Sequence, residues 1–108
     1  MPQRRLEWSE RARDQLLEIV DYYTEHASPR AAERVLQQIE LKAQELARFP
    51  SSGSAVEGLD TSYRRSRAGS YTLLYRALPD RAVIRILSVR HGRRRPLSAE
   101  EISALDVP

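Results

Sequence analysis

The sequence predicts an α+β fold, a small two-layer domain in which a helical hairpin packs on one side of an antiparallel sheet in the order β-α-α-β-β-β. Three observations predict it. A chain of 108 residues with 41% hydrophobic content is long enough for one compact domain with a modest core. Apolar residues recur at helical spacing through two segments before Pro50. After residue 62 the pattern changes to the alternation that is typical of strands.

The first segment, "RRLEWSE", alternates like a short strand, with Leu6 and Trp8 on one face and charged neighbours on the other. Ser9 then supplies an N-cap oxygen. The following residues predict a first helix over about residues 10–26, because one stripe is apolar and the opposite stripe is charged. The apolar stripe consists of Ala12, Leu16, Ile19, Val20 and Tyr23.

A second helix is predicted to begin at the Ser28–Pro29 pair. Serine caps a helix N-terminus, and proline at the first helical position lacks only an N–H that would be unpaired anyway. Pro50 forbids continuation of this helix beyond about Phe49. Because only two or three residues join the helices, they are expected to form an antiparallel hairpin. The predicted buried stripe of the second helix consists of Ala32, Val35, Leu36, Ile39, Ala43, Leu46 and Ala47.

Three strands of an antiparallel meander are predicted after the second helix. The stretch "PSSGSAVEGLDTS" is rich in serine and glycine, so it is expected to be a loop. The strands that follow are "YRRSR", "SYTLLYRA" and "RAVIRILSVR", separated by a break at Ala68–Gly69 and by a turn at "LPD".

Both faces of this sheet are expected to carry apolar residues. Tyr71, Leu73 and Tyr75 share one face of the middle strand. One face is therefore expected to pack on the hairpin, whereas the other is a candidate binding surface, since too little chain remains to cover it. In the last strand, alternation places Val83, Arg85, Leu87 and Val89 on one face and Ala82, Ile84, Ile86, Ser88 and Arg90 on the other.

Charge is distributed unevenly along the chain. Residues 1–62 carry 8 basic and 11 acidic side chains, residues 63–95 carry 10 arginines and a single acid, and residues 96–108 carry three acids. The net charges of these segments are therefore −3, +9 and −3. Arginine donates planar pairs of hydrogen bonds to phosphate and carboxylate, so the middle segment predicts a polyanionic or acidic partner. A solvated sheet face rich in arginine is the alternative interpretation.

The sequence contains no cysteine, and its two histidines, His26 and His91, are far apart without a partner at ligand spacing. Disulfides and thiolate metal sites are therefore excluded, and we expect neither a metal nor a cofactor. No segment approaches the roughly 20 apolar residues of a membrane span, and the N-terminus lacks the apolar stretch of a secretory signal. These features favour a cytoplasmic protein that does not contact a membrane.

Five stretches, taken in order, resemble the ParE/RelE toxin superfamily of bacterial type II toxin–antitoxin modules. They are "LEWSERARDQLLEIVDYY", "SPRAAERVLQQIE", "FPSSGS", "SYTLLYRA" and "ILSVRHGRRRP", and the likeness extends over about residues 5–95. It implies a toxin domain over residues 1–96, followed by an acidic C-terminal tail over residues 97–108. The motif "VRHGRR" is more similar to the ParE branch, whose members are taken to poison DNA gyrase, than to the RelE branch of ribosome-dependent mRNA interferases.

The resemblance implies a toxin that inhibits DNA gyrase by binding, serves plasmid stabilisation, and is silenced by a cognate antitoxin in a hetero-oligomer. Operator DNA would be contacted only through the antitoxin. Two alternatives stay open. One is a RelE-type mRNA interferase, and the other is a non-toxic chain that still binds the antitoxin.

Cleaving RNA without a metal needs a base for the 2′-hydroxyl, a cation for the phosphorane and an acid for the leaving oxygen. His91 is a candidate acid or base because histidine changes protonation near neutral pH, but a strand-end residue that bonds the backbone or water at the turn made by Gly92 is the favoured interpretation. A RelE-like enzyme usually also has lysines or a glutamate on the sheet and a tyrosine near the C-terminus. This chain has no lysine after Lys42 and no tyrosine after Tyr75, so we expect no nuclease centre. The candidate cations are Arg64, Arg67, Arg76, Arg85 and Arg90.

The end of the last strand is the predicted binding patch. Gly92 and Pro96 bracket its arginines, so the run cannot continue as a regular strand, and no acid nearby in sequence is expected to neutralise it. A solvated tail is the alternative for these arginines, and core packing is the alternative for the two tyrosines in the set. The candidate target- or antitoxin-binding residues are Arg90, His91, Arg93, Arg94, Arg95, Tyr71 and Tyr75.

Overall fold

The fold is seen in a computed structural model that describes residues 4–105, apart from the side chain of Pro79. In chain order the elements are β1 (Arg5–Trp8), α1 (Glu10–His26), α2 (Pro29–Arg48), β2 (Ser54–Ala55), β3 (Tyr63–Ala68), β4 (Tyr71–Leu78), β5 (Val83–His91) and α3 (Ala99–Leu105). The strands of the sheet lie in the order β1-β5-β4-β3-β2. The predicted α+β architecture is confirmed, with two additions, the edge strand β2 and the C-terminal helix α3.

The helices α1 and α2 begin at their predicted caps. The Oγ atoms of Ser9 and Ser28 each accept a backbone N–H from three residues further along, at 3.0 Å. Pro50 directly follows the C-cap of α2, where its ring and missing N–H prevent another turn. The predicted bounds of both helices are confirmed to within one residue. No helix in the described part of the chain is long and apolar enough to cross a membrane.

The first strand joins the sheet beside the last one. β1 runs parallel to β5, with Leu6 opposite Ile84 and Trp8 opposite Ile86. The other neighbouring strands pair antiparallel, as predicted. An exclusively antiparallel sheet is therefore not what the chain forms, because the helical hairpin carries the chain across the sheet before the meander begins, and β1 is left beside β5 in the same direction.

The start of α1 covers the edge of β5 beyond the end of β1. The Ser9 hydroxyl donates to the Leu87 carbonyl at 3.2 Å, and Gln15 Oε1 accepts the Val89 N–H at 2.8 Å. These two side chains satisfy backbone groups that would otherwise lie unpaired at a sheet edge. The β5 edge is thus held against α1 at the level where the candidate site begins.

The hairpin packs on one face of the sheet, and Tyr75 lies at the centre of this layer. Its ring is fully buried, and its hydroxyl donates to the Pro50 carbonyl at 2.7 Å and accepts the Gly53 N–H at 3.0 Å. Gly53 is required here, because a Cβ at that position would lie 2.4 Å from the Tyr75 hydroxyl oxygen. Other buried members of this layer include Ala12, Ile39, Leu46, Leu73, Ile84, Ile86 and Val89.

A bulge interrupts the alternation that the sequence predicted for β5. Tyr75 lies opposite Ile86 but Leu74 lies opposite Ser88, so Leu87 is an extra residue on β5. Ile86 and Val89 therefore pack on the hairpin side, whereas Leu87 belongs to the far side. The predicted grouping of Leu87 with Val89 is wrong, because one extra residue reverses the faces of all residues that follow it.

The far face of the sheet has its own apolar cluster, which the chain covers itself. Leu74 and Leu87 of the sheet contact Ile102 of α3, which is fully buried, and Leu97, which is 9% exposed. The expectation that too little chain remains to cover this face is wrong, since residues 97–105 of the expected acidic tail fold onto it. Residues 106–108 of that tail lie outside the described residues. The cluster is completed by Val56, Leu59, Tyr63 and Leu105.

Candidate functional site

The chain reverses direction directly after β5. The Arg94 N–H bonds the His91 carbonyl at 3.0 Å, and the Gly92 N–H bonds the Ser70 carbonyl at 2.7 Å. Gly92 lies close to neighbouring atoms, since a Cβ there would meet Arg67 Nη2 and the Ser70 carbonyl oxygen at 3.2 Å. The arginine-rich segment 93–95 is thereby fixed as a turn at the end of the sheet, as its bracketing glycine and proline predicted.

A cleft of about 100 Å³ opens on the far face beside this turn. Its floor includes Leu74 of β4 and its wall includes Leu97, so it is apolar at the base and basic at the rim. We call it the arginine cleft. The polar residues that line it are Arg65, Thr72, Ser88, Arg90, His91 and Arg94.

Backbone carbonyls of the C-terminal segment hold two arginines of the cleft in place. Arg65 Nη2 donates to the Leu97 carbonyl, and Arg90 Nε donates to the Arg95 carbonyl at 2.9 Å. Burial, together with the positive charges of Arg94 and Arg95, lowers the pKa of Arg90. A guanidinium has five N–H donors, so each arginine keeps donors that can bind an oxyanion in the cleft.

The arginines of the turn differ in their partners. Arg95 forms a bidentate ion pair with Glu101 of α3, in which two guanidinium nitrogens donate to the two carboxylate oxygens at 2.8 Å and 3.2 Å. The expectation that no nearby acid neutralises the run is therefore wrong for Arg95, because α3 folds back and brings Glu101 to it. Among the residues that the structure describes, no carboxylate forms an ion pair with Arg93 or Arg94, and both side chains are exposed.

Glu101 is expected to titrate near pH 2. Hydrogen bonds from Arg95, and then from the backbone and hydroxyl of Ser98, hold its pKa at about 2, below the usual 4.5. Since the folded pKa is lowered, the pair stabilises docked α3 at neutral pH, and this stabilisation is lost as the pH falls from about 4.5 towards 2. Carboxyl carbon NMR should show the Glu101 pKa rising towards 4.5 in Arg95→Gln but not in Arg93→Gln. A Glu101 midpoint near 4.5 in the unmutated chain would contradict the pairing.

His91 is a strand-end histidine that bonds the backbone. Its Nδ1 accepts the Arg93 N–H at 3.1 Å, across the turn made by Gly92. The edge of its ring meets Tyr71, with 5.3 Å between the ring centroids. His91 also lines the arginine cleft, so its position fits both the strand-end interpretation and the binding interpretation.

The two candidate tyrosines are largely buried. Tyr75 is fully buried with both hydroxyl bonds satisfied, so it has no ring face to offer a partner. Tyr71 is 8% exposed. Burial and the neighbouring Tyr23 hydroxyl raise the pKa of Tyr71, so its phenol stays protonated. Core packing was the alternative interpretation for both tyrosines, and Tyr75 is a core residue.

The arginines considered for RNA cleavage do not converge. Arg64 lies on the hairpin side and donates to the Gly53 carbonyl at 2.9 Å, whereas Arg67 lies on the far side beside Gly92. Arg85 bonds Glu7 at 3.3 Å, about 20 Å along β5 from His91 at strand spacing. Burial opposes the Glu7 charge, but hydrogen bonds from Arg85 and Arg5 outweigh it and lower the pKa of Glu7. Arg76 lies over the Tyr63 ring at 4.4 Å.

Arg65 lines the arginine cleft but was not among the candidates predicted from the sequence. The signal was present, because Arg65 and Arg67 share one face of β3 and Arg65 pairs with Leu74 across β4. The position of the far face relative to the C-terminal segment could not be read from that pattern. The sheet register places Arg65 and Arg90 on the same face, on the two strands that flank β4, and the Leu97 carbonyl of the C-terminal segment then bonds Arg65.

A family model described as the ParE toxin of the type II toxin–antitoxin system parDE matches residues 6–96. The chain belongs to the ParE toxin family. The match spans the hairpin, all of the sheet except the first residue of β1, and the turn beside the arginine cleft, and it confirms the resemblance to the ParE/RelE superfamily. This ParE-family chain is accordingly a toxin of a type II toxin–antitoxin system. No curated protein matches its sequence significantly.

Solved structures share the fold of this ParE-family toxin. The chromosomal ParDE system from P. aeruginosa has 20% identity and a TM-score of 0.68, with 82% of this chain and 96% of that chain covered. The RelBE2 toxin–antitoxin complex from Mycobacterium tuberculosis has 23% identity and a TM-score of 0.65, over 83% and 99%. A double mutant of the E. coli toxin RelE in the free state has 18% identity and a TM-score of 0.64, over 95% and 93%. ParE and RelE toxins thus share this fold, and the target depends on residues at the site.

Proposed function

We propose that this toxin acts by binding, that its target is DNA gyrase engaged with DNA, and that a cognate antitoxin silences it by covering the same surface. The observation that carries the proposal is the arginine cleft together with the turn at residues 93–95. Arg65, Arg90 and Arg94 converge there beside two hydroxyl side chains, and no carboxylate lines the described cleft. Such a set suits phosphate oxygens of DNA or carboxylates of a protein.

An antitoxin segment with acidic and apolar side chains fits the same surface. The rim of the cleft is cationic, while Leu74 and Leu97 provide an apolar base. Two of the similar structures, ParDE from P. aeruginosa and RelBE2 from M. tuberculosis, are toxin–antitoxin systems, which supports an antitoxin as partner here. Contact with operator DNA would then be made by the antitoxin, and the assembly would be a hetero-oligomer in the cytoplasm.

Binding is favoured over RNA cleavage because the acid–base pair that cleavage needs is not assembled. His91 already uses Nδ1 to accept the Arg93 N–H. Within residues 4–105, the cleft is lined by neither a lysine nor a carboxylate that could act as the second group. Arg64 and Arg85, two of the candidate cations, lie away from the cleft.

One observation favours an mRNA interferase as second candidate. His91 lines the cleft together with three arginines, so one titratable group and the cations for a phosphorane are within one surface. A non-toxic chain that only binds antitoxin is the third candidate, and it predicts no growth inhibition on induction.

His91→Ala is expected to leave growth inhibition within about threefold of the unmutated toxin, because the proposal gives His91 no chemical role. Removing a general acid or base usually costs about a hundredfold or more in rate. The measurement is induction of each chain alone in a bacterial host, followed by growth curves and by transcript integrity on the same samples. Loss of mRNA cleavage in His91→Ala by that margin would establish the interferase instead.

A further inference from the structure

A groove on the hairpin side lies next to the arginine cleft. It has a volume of about 320 Å³ and runs between α1 and the ends of β4 and β5. Tyr22 is its most open ring, 57% exposed, and it is held by contacts with Tyr23 and His26 at centroid distances of 5.4 Å and 4.7 Å. We call this surface the aromatic groove, and its lining consists of Glu18, Ile19, Tyr22, Tyr23, Tyr71 and His91.

The chemistry of the aromatic groove suits a cation. Aromatic faces attract guanidinium and ammonium groups, and the Glu18 carboxylate adds a negative charge at the same place. The same carboxylate repels phosphate, so nucleic acid does not fit this groove. Glu10, Asp14 and Glu18 follow one another at four-residue spacing and line one further groove along α1. Arg11 and Arg94 line the same groove, so three acids against two arginines leave its lining with a net charge of −1.

The positive and negative surfaces meet at the turn after β5. His91 lines both the arginine cleft and the aromatic groove. Arg94 lines the arginine cleft and also the groove that contains Glu10, Asp14 and Glu18. The three surfaces are therefore continuous around this turn. A bound segment that runs from the far face around the turn would contact arginine donors first, and then carboxylates and aromatic rings.

We propose that one segment of the antitoxin binds around the end of β5, with acidic side chains in the arginine cleft and an arginine or lysine side chain in the aromatic groove. The inference rests on the proposed binding of an antitoxin at the cleft and adds the charge order of the bound segment. Tyr22 is already oriented by Tyr23 and His26, so little side-chain freedom is lost when a cation binds to it. An all-acidic segment would be repelled by Glu18, and the groove thereby selects among antitoxins.

The test is calorimetric titration of the purified toxin variants with the antitoxin produced from the neighbouring reading frame, at low and high salt. Tyr22→Ala and Glu18→Gln should each weaken binding about fivefold, and Glu18→Arg should weaken it further. Tyr22→Phe keeps the aromatic face and should bind almost normally. Glu18→Gln should also flatten the salt dependence, which a purely structural effect would not do.

Matched controls are Leu41→Ala and Glu33→Gln on α2, which remove an exposed apolar side chain and an exposed charge outside both grooves. They should bind like the unmutated toxin. If Tyr22→Ala and Glu18→Arg bind as tightly as the controls while a variant with glutamine at Arg93, Arg94 and Arg95 is weakened, the groove proposal is overturned and the antitoxin site at the cleft stands. An antitoxin that does not bind the unmutated toxin overturns both.

Discussion

Replacing Arg93, Arg94 and Arg95 together with glutamine is expected to reduce growth inhibition about tenfold or more, with little change in melting temperature. The turn is held by backbone bonds at Gly92 and Arg94, which the substitutions keep. Water and salt screen exposed ion pairs, so the lost Arg95–Glu101 pair should have only a small effect on unfolding. The toxicity depends instead on charges presented to the partner.

The matched control replaces three exposed arginines of α2, Arg30, Arg34 and Arg48, with glutamine. It removes the same net charge from a surface outside the arginine cleft, so toxicity should be nearly unchanged. Thermal denaturation, growth curves and antitoxin titration on both triple variants make the comparison. If the Arg93 to Arg95 triple variant unfolds while its folded fraction remains fully toxic, these arginines stabilise the fold and their proposed role in binding is refuted.

Ile102→Ala is expected to lower the free energy of unfolding by about 2–4 kcal/mol. Ile102 is fully buried against the far face of the sheet, and its removal leaves a cavity beside Leu74 and Leu87. The helix α3 has only seven residues, so its docking depends on such burial rather than on its own helical stability. Weakening it should also loosen Leu97, whose carbonyl accepts a bond from Arg65.

Urea denaturation measures this loss, with Leu41→Ala as the control. Leu41 is 65% exposed, so its truncation should change stability by less than about 0.5 kcal/mol. Binding of a hydrophobic dye should rise in Ile102→Ala alone, because undocking of α3 uncovers apolar side chains. Equal stability of the two variants would mean that α3 does not cover the far face in solution.

The helices were predictable because their signals are local. Ser9 and Ser28 cap α1 and α2, and Pro50 ends α2, so sequence and structure agree to within one residue. The sheet was less predictable because pairing is not local. The bulge at Leu87 depends on how β5 meets β4, and no alternation pattern within β5 alone contains that information.

The helix α3 in the C-terminal segment was not predicted, because it is too short to show a periodic apolar pattern. Seven residues contain barely two helical turns, so α3 gives no clear apolar stripe. A local signal did exist, since Ser98 and Glu101 form a capping box in which each side chain bonds the backbone N–H of the other, at 3.0 Å and 3.1 Å. This capping box holds Glu101 at the start of α3, where it pairs with Arg95 and reduces the positive charge of the candidate site.

The composition of the chain predicted the basic character of the candidate site better than it predicted which residues line it. The excess of arginine after residue 62 indicated a basic surface, and Arg90, His91 and Arg94 do line the cleft. Arg65 was missed, and Tyr75 proved to be core, because faces and burial depend on how the C-terminal segment and the hairpin cover the sheet.

Binding of this toxin to gyrase on DNA can be measured with purified components. The toxin is added to gyrase and relaxed plasmid, and to a translation reaction that contains labelled mRNA. We expect lost supercoiling and an increase in gyrase-linked DNA breaks, both reversed by the antitoxin and both weakened in the Arg93 to Arg95 triple variant, with the mRNA intact. Unchanged supercoiling together with cleaved mRNA would refute gyrase as the target.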